Sequence, residues 1–187
     1  MTPSLFSAQG ISSRRLALAA ALVTVVTSIS LTGCAMLPPS DLPSTERSVL
    51  LQRMDGVLRQ AQATGAVQLV ARPDPVTTGQ LVQLEVRTAQ PGYLYLYQIS
   101  TDGTSLSLAF PNAMDGANYL PAGQTALPRA SWQLRARGPA GVGYLLAVLT
   151  PQPLDLMTLQ AQLQAGQFLT PGAYSAALAT LRETAPQ

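Results

Sequence analysis

Between residues 66 and 150, apolar and polar side chains alternate with a period of two. On either side the period lengthens to between three and four. The first pattern belongs to strands and the second to helices. In residues 80–88, Val82, Leu84 and Val86 face one way and Gln83, Glu85 and Arg87 the other, as on a half-buried antiparallel strand. Residues 92–100 are apolar on both faces, with Leu94 and Leu96 opposite Tyr93, Tyr95, Tyr97 and Ile99. Thr101-Asp102-Gly103-Thr104 is a turn of the Asp-Gly type, so residues 105–110 pair back as a hairpin. Residues 131–137 alternate again, with Trp132, Leu134 and Ala136 opposite Arg135 and Arg137. Residues 142–149 form a nearly continuous apolar run, which predicts a central strand. Gly138-Pro139-Ala140-Gly141 before it reads as a hairpin connection, because no helix pattern follows to make it a phosphate loop.

Helical spacing brackets this region. Leu50, Met54, Val57, Leu58 and Ala61 predict a helix over 44–64, capped by Ser44 or Thr45. After Thr150-Pro151-Gln152-Pro153, Asp155 caps a helix carrying Leu156, Leu159 and Leu163, which Gly166 stops. Thr170-Pro171 then reads as the start of a last helix, with Tyr174, Ala177, Leu178 and Leu181 as its stripe. The expected fold class is α+β, mainly β. It is a small antiparallel β-sandwich or partly closed barrel, with an N-terminal helix and a C-terminal pair of short helices.

The first residues change the picture from a plain globular domain to an exported one. Arg14 and Arg15 precede an uncharged run from Leu16 to Ile29, and Leu31-Thr32-Gly33-Cys34 follows. This is the layout of a secretory signal. The run falls short of the ~20 apolar residues a membrane span needs. Its end resembles the bacterial lipobox, in which Leu31, Thr32 and Gly33 fit the signal peptidase and the Cys34 thiol takes the lipid. The expected organisation is a signal peptide over 1–33, a lipidated cysteine and tether over 34–43, and a helix over 44–64. A β-rich domain over 65–152 and a helical hairpin over 153–187 complete it. Pro38, Pro39 and Pro43 make the tether an extended spacer. Ala35 stands where inner-membrane retention in this protein class favours Asp. The expected location is therefore the outer membrane, facing the periplasm.

Charge and composition narrow the chemistry. Of 187 residues, 47% are hydrophobic and 11% charged, with a formal net charge of +2. Two of the eleven arginines precede the lipobox, so the chain from Cys34 on is neutral. Every basic residue is arginine, and histidine is absent. A neutral domain without lysine is a poor nucleic-acid binder. Lack of histidine and lysine removes Ser-His-Asp, Cys-His, Ser-Lys and Walker-type chemistry. With Cys34 assigned to lipid, no zinc set remains, and neither metal nor cofactor is expected. Paired carboxylates are what is left, and Asp102 and Asp115 each precede glycine as turn residues do.

Two groups of residues stand out as binding candidates. The polar stretch 111–121 is long for a connection between strands, and its candidates are Asn112, Asp115, Asn118 and Tyr119. The second group is a face with Tyr93, Tyr95 and Tyr97, suited to stacking on sugars or accepting a peptide, and Arg135 and Arg137, suited to phosphates. The bland alternatives are tyrosines packed under a covering element and solvated arginines.

Gly92-Tyr93-Leu94-Tyr95-Leu96-Tyr97, Asp102-Gly103, Phe110-Pro111-Asn112, Asn118, Ala122-Gly123 and Gly138-Pro139-Ala140-Gly141 follow one another in order. This order is similar to that of a bacterial family, domain of unknown function 4384, over roughly residues 67–150. Leu108-Ala109-Phe110 departs from the family pattern, which often has a bulkier residue before the Phe. The resemblance implies a small β-rich domain of the cell envelope, often in lipoproteins or beside sensory and protease-like domains. It supplies no reaction and no catalytic residue. The expected role is a non-catalytic interaction or assembly module, membrane-bound through lipid and docked on an envelope protein, as in a secretion complex. A glycan- or peptidoglycan-binding lipoprotein and a carboxylate-dependent hydrolase are the alternatives.

Overall fold

A computed structural model describes residues 45–62, 66–168 and 172–186. The signal, lipobox and tether expected over 1–43 lie outside the described residues.

Among those described, two helices and ten strands form three layers. The first sheet holds β1 (Val67–Arg72), β3 (Leu81–Thr88) and β7 (Gly123–Leu127) in the order β1-β3-β7, and β8 (Leu134–Arg135) pairs with the start of β3. The second holds β2 (Val76–Thr77), β10 (Ser175–Thr184), β9 (Gly141–Thr150), β4 (Gly92–Ile99) and β5 (Leu106–Phe110) in that order. There β6 (Tyr119–Leu120) also pairs with β4. All pairings are antiparallel except β2 with β10. The two sheets stay separate, so the architecture is sandwich-like and not a closed barrel.

Alternation in sequence becomes two cores. Val82, Leu84 and Val86 of β3 meet Leu94 and Leu96 of β4 and Leu145, Ala147 and Leu149 of β9 between the sheets. The opposite face of β4 and β9 carries Tyr95, Tyr97, Ile99, Leu146 and Val148. Helix α1 (Thr45–Gln60) and helix α2 (Leu156–Gln164) cover that face with Leu50, Met54, Val57 and Leu159. Strands buried on both faces need apolar residues at every position, which explains the unbroken run in β9. Each fully buried Leu or Val contributes about 1.5–3 kcal/mol.

The C-terminal helix pair requires correction. Helix α2 forms where its spacing predicts it, and Asp155 caps it by accepting from the Thr158 N–H at 2.7 Å. The segment read as a second helix is instead β10, the strand between β9 and β2. Alanine and leucine favour helix in isolation, but β9 presents an unmatched row of main-chain groups that only a strand can pair. In β10, Ala177, Ala179 and Leu181 pack between the sheets, while Ala176 and Leu178 pack toward the helices. Small residues on both faces permit either period, so the tertiary partner decides. The Gly138–Gly141 connection is corrected too. It passes from β8 in one sheet to β9 in the other and closes no hairpin.

Candidate functional site

The polar stretch after β5 folds around one carboxylate. Asn112 and Asp115 exchange main-chain hydrogen bonds at 3.0 and 3.1 Å. The Asn112 Oδ1 also accepts from the N–H groups of Met114 and Asp115, at 2.9 and 3.0 Å. Its Nδ2 donates to the Ala109 carbonyl at 2.9 Å. These bonds turn the chain so that Asp115, 8% exposed, points inward. Arg129 Nη1 donates to both its oxygens, at 2.8 and 3.0 Å. Trp132 Nε1 donates at 3.2 Å and the Ala117 N–H at 3.3 Å. A carboxylate so supplied with donors, one of them charged, is satisfied within the protein.

Asn118 ties the loop to β4, donating from Nδ2 to the Leu94 carbonyl at 3.1 Å and accepting the Leu94 N–H on its main-chain oxygen at 2.8 Å. Tyr119 is 55% exposed and meets Tyr93 edge to face, 5.1 Å between centroids. So the structure does bring Asn112, Asp115 and Asn118 together, as a brace. What the brace holds is Trp132, whose ring stacks on buried Phe110 at 6.0 Å and 7°. The Arg129 guanidinium lies over the same Phe110 ring at 5.5 Å.

The tyrosine face requires correction. Tyr95 and Tyr97 are buried in the layer beneath the helices and present no open surface. The Tyr95 hydroxyl accepts the Leu154 N–H at 2.7 Å, and Tyr97 packs edge to face on Phe168. A strand under a covering layer needs large side chains to reach it, which is the reason for the stripe. Tyr93 is half-buried and pairs with Tyr119. Arg135 and Arg137 are not with the tyrosines. They line a cleft at the mouth between the two sheets. Arg135 donates to the Gly79 carbonyl at 3.0 Å and to Gln133 Oε1 at 2.9 Å.

Asp102 stands at the turn before β5. Hydrogen bonds from the Ser100 hydroxyl, then from the Thr104 N–H and hydroxyl, hold its carboxyl below the usual range. Among the described residues, no three His, Cys, Asp or Glu side chains converge as metal ligands, and no helix is long and apolar enough to cross a membrane. Leu31, Thr32, Gly33 and Cys34 lie outside the described residues.

Two of the cavities among the described residues lie against β5. An apolar groove of about 640 Å³ runs between β5, the 111–116 turn and α2, lined by Leu106, Leu108, Pro111, Leu156, Leu159 and Leu163. The polar cleft of about 500 Å³ holds Gln98, Asp102, Trp132, Arg135, Arg137 and Glu183. Sequence reasoning singled out Arg135 and Arg137 but neither cavity. Trp132 carried a signal as the single tryptophan of the chain, but Glu183 did not while β10 was read as a helix.

Comparison with known proteins gives a match to one family model over part of the chain. No curated protein matches the chain. Among solved structures, the sulfur carrier protein SoxY from Chlorobium limicola f thiosulfatophilum is similar over 72% of this chain and 98% of that one, at 14% identity and a TM-score of 0.36. Residues 76–153, from the start of β2 to just past β9, match the model of the family described as Domain of unknown function (DUF4384).

Proposed function

We propose that this protein is a lipid-anchored, non-catalytic docking module of a bacterial cell-envelope complex, held in the outer membrane through Cys34. The observation that carries the docking role is the open edge at β5. This strand ends the six-stranded sheet and has β4 as its one strand neighbour among the described residues. The Ser100 N–H donates to the Ser105 carbonyl at 3.1 Å, and Gln98 stands opposite Ser107. Antiparallel pairs alternate, so the main-chain groups of Leu106 and Leu108 point away from β4. Natural sheets usually cover such an edge, and an uncovered one is a template for a partner strand.

Exposed apolar side chains support the same reading. Leu106 and Leu108 line the groove beside the edge. Met114 in the neighbouring turn is 68% exposed, and Met157 on α2 84%. Methionine adapts its shape and is common at protein-binding surfaces. The acids that a hydrolase would use are engaged within the protein: Asp102 by Ser100 and Thr104, Asp115 by Arg129 and Trp132. The anchor rests on the sequence from Arg14 to Cys34, since its chemistry is that of an exported, acylated cysteine.

The test is crosslinking in cells, then purification of the tagged protein from solubilised membranes, beside Cys34→Ser and Met157→Glu forms. We expect a defined set of envelope proteins with the wild type, and their loss or depletion with either substitution. Their identity tells a secretion complex from another assembly. Recovery of the wild type as a free monomer would overturn the docking role.

A further inference from the structure

We propose that the polar cleft between the sheets binds a saccharide that carries a carboxylate, with a sugar ring stacked on Trp132. The site shares Ser107 and Leu108 of β5 with the apolar groove but is otherwise lined by different residues, and it does not depend on a protein partner. Its volume, about 500 Å³, falls in the range of roughly 300–1,000 Å³ typical of small-molecule sites.

The argument starts with the indole. One ring face lies on Phe110, which is buried, and Nε1 is held by Asp115. Trp132 is half-buried and lines the cleft, so part of the indole is presented there. A flat apolar wall locked in place by a brace is what the C–H face of a pyranose needs, because little ordering entropy is lost on binding.

The groups around it then select the substituents. Arg135 is engaged by Gly79 and Gln133, and Asp102 by Ser100 and Thr104. Two charged groups in the cleft keep free capacity. Arg137 is exposed and has no hydrogen bond or ion pair among the described residues. Glu183 is 6% exposed, accepts one hydrogen bond, from the Gly138 N–H at 2.7 Å, and has no cationic partner among the described residues. A buried carboxylate with little compensation favours hydroxyl or amide donors from a ligand. A free guanidinium favours a carboxylate. A sugar ring with hydroxyl or acetamido donors and one acid group meets all three demands, and a plain peptide strand does not offer the ring.

Trp132 is the single tryptophan of the chain, so its emission reports the cleft directly. The full lipidated protein in a detergent without a sugar headgroup is titrated with N-acetylglucosaminyl-N-acetylmuramic acid and with neutral di-N-acetylchitobiose. We expect a saturable change with the acidic disaccharide and affinity at least about tenfold weaker for the neutral one, the worth of one charge-assisted hydrogen bond. Arg137→Gln, a change at an exposed position, brings the acidic disaccharide down to the level of the neutral one. No saturable change with the acidic disaccharide, equal affinity for both, or an Arg137→Gln protein that binds as before overturns the proposal.

Discussion

Asp115 shows how a loop residue that reads as a binding group becomes a structural one. Its carboxylate gathers Arg129, Trp132 and the Ala117 N–H, and its side chain is 6% exposed against 34% for Arg129. Removing it leaves a guanidinium and an indole N–H without their acceptor. Asp115→Ala should therefore lower the unfolding free energy by about 2–4 kcal/mol, measured by urea denaturation. The native emission of Trp132 should shift to the red as the indole loses its clamp. A loss below about 0.5 kcal/mol would show that the brace is dispensable. The sequence marked Asn112, Asp115 and Asn118 as worth notice through loop length and polarity, but not their role. Arg129 and Trp132 stand 14 and 17 residues beyond Asp115, and nothing in local pattern says that they return to it.

At the level of elements, two glycines separate what packing decides from what propensity decides. A Cβ on Gly92 would sit 2.8 Å from the Thr150 carbonyl oxygen and 3.1 Å from the Leu149 side chain, where β4 runs against β9. Gly92→Ala should cost about 1–3 kcal/mol, because the obstacle is main chain and cannot swing away. Gly56, inside α1, has nothing within 4 Å of such an atom. Gly56→Ala should instead stabilise by about 0.5–1 kcal/mol through helix propensity. Thermal melts of the two variants check both signs. The same contrast explains which elements were legible. Strict alternation in β3 and the unbroken apolar run of β9 each have one solution. The alanine-rich β10 has two, and its place between β9 and β2 is visible only once the sheet exists.

For the whole molecule, the acid limb of stability follows from three carboxyls far apart in the fold. Asp74 is held below the usual value chiefly by its hydrogen bond from Arg182, Asp102 by Ser100 and then Thr104, and Asp155 by Thr158. A depressed carboxyl contributes its stabilisation fully above the unfolded value of 3.8 and loses it as pH falls through the folded value. With no histidine in the chain, the melting temperature should stay flat from pH 7 to about 5 and drop below 3.8. Melts across that range test the sign, and a midpoint that rises on acidification would contradict it. The two-sheet arrangement was legible as a class, but the strand order was not. Adjacency depends on distant segments, as β2 beside β10 shows.

That adjacency sets a timetable for synthesis. Thr184 reaches back to the Val76 carbonyl across 108 positions, and the Thr78 N–H donates to the Thr184 carbonyl. While the chain is still growing, β2 and the outer side of β9 have nothing to pair with, however early they emerge. β5, β4 and β9 can pair earlier, but the larger sheet is complete only after β10 has been made. Such delayed closure fits the export that the proposed lipid anchor would require.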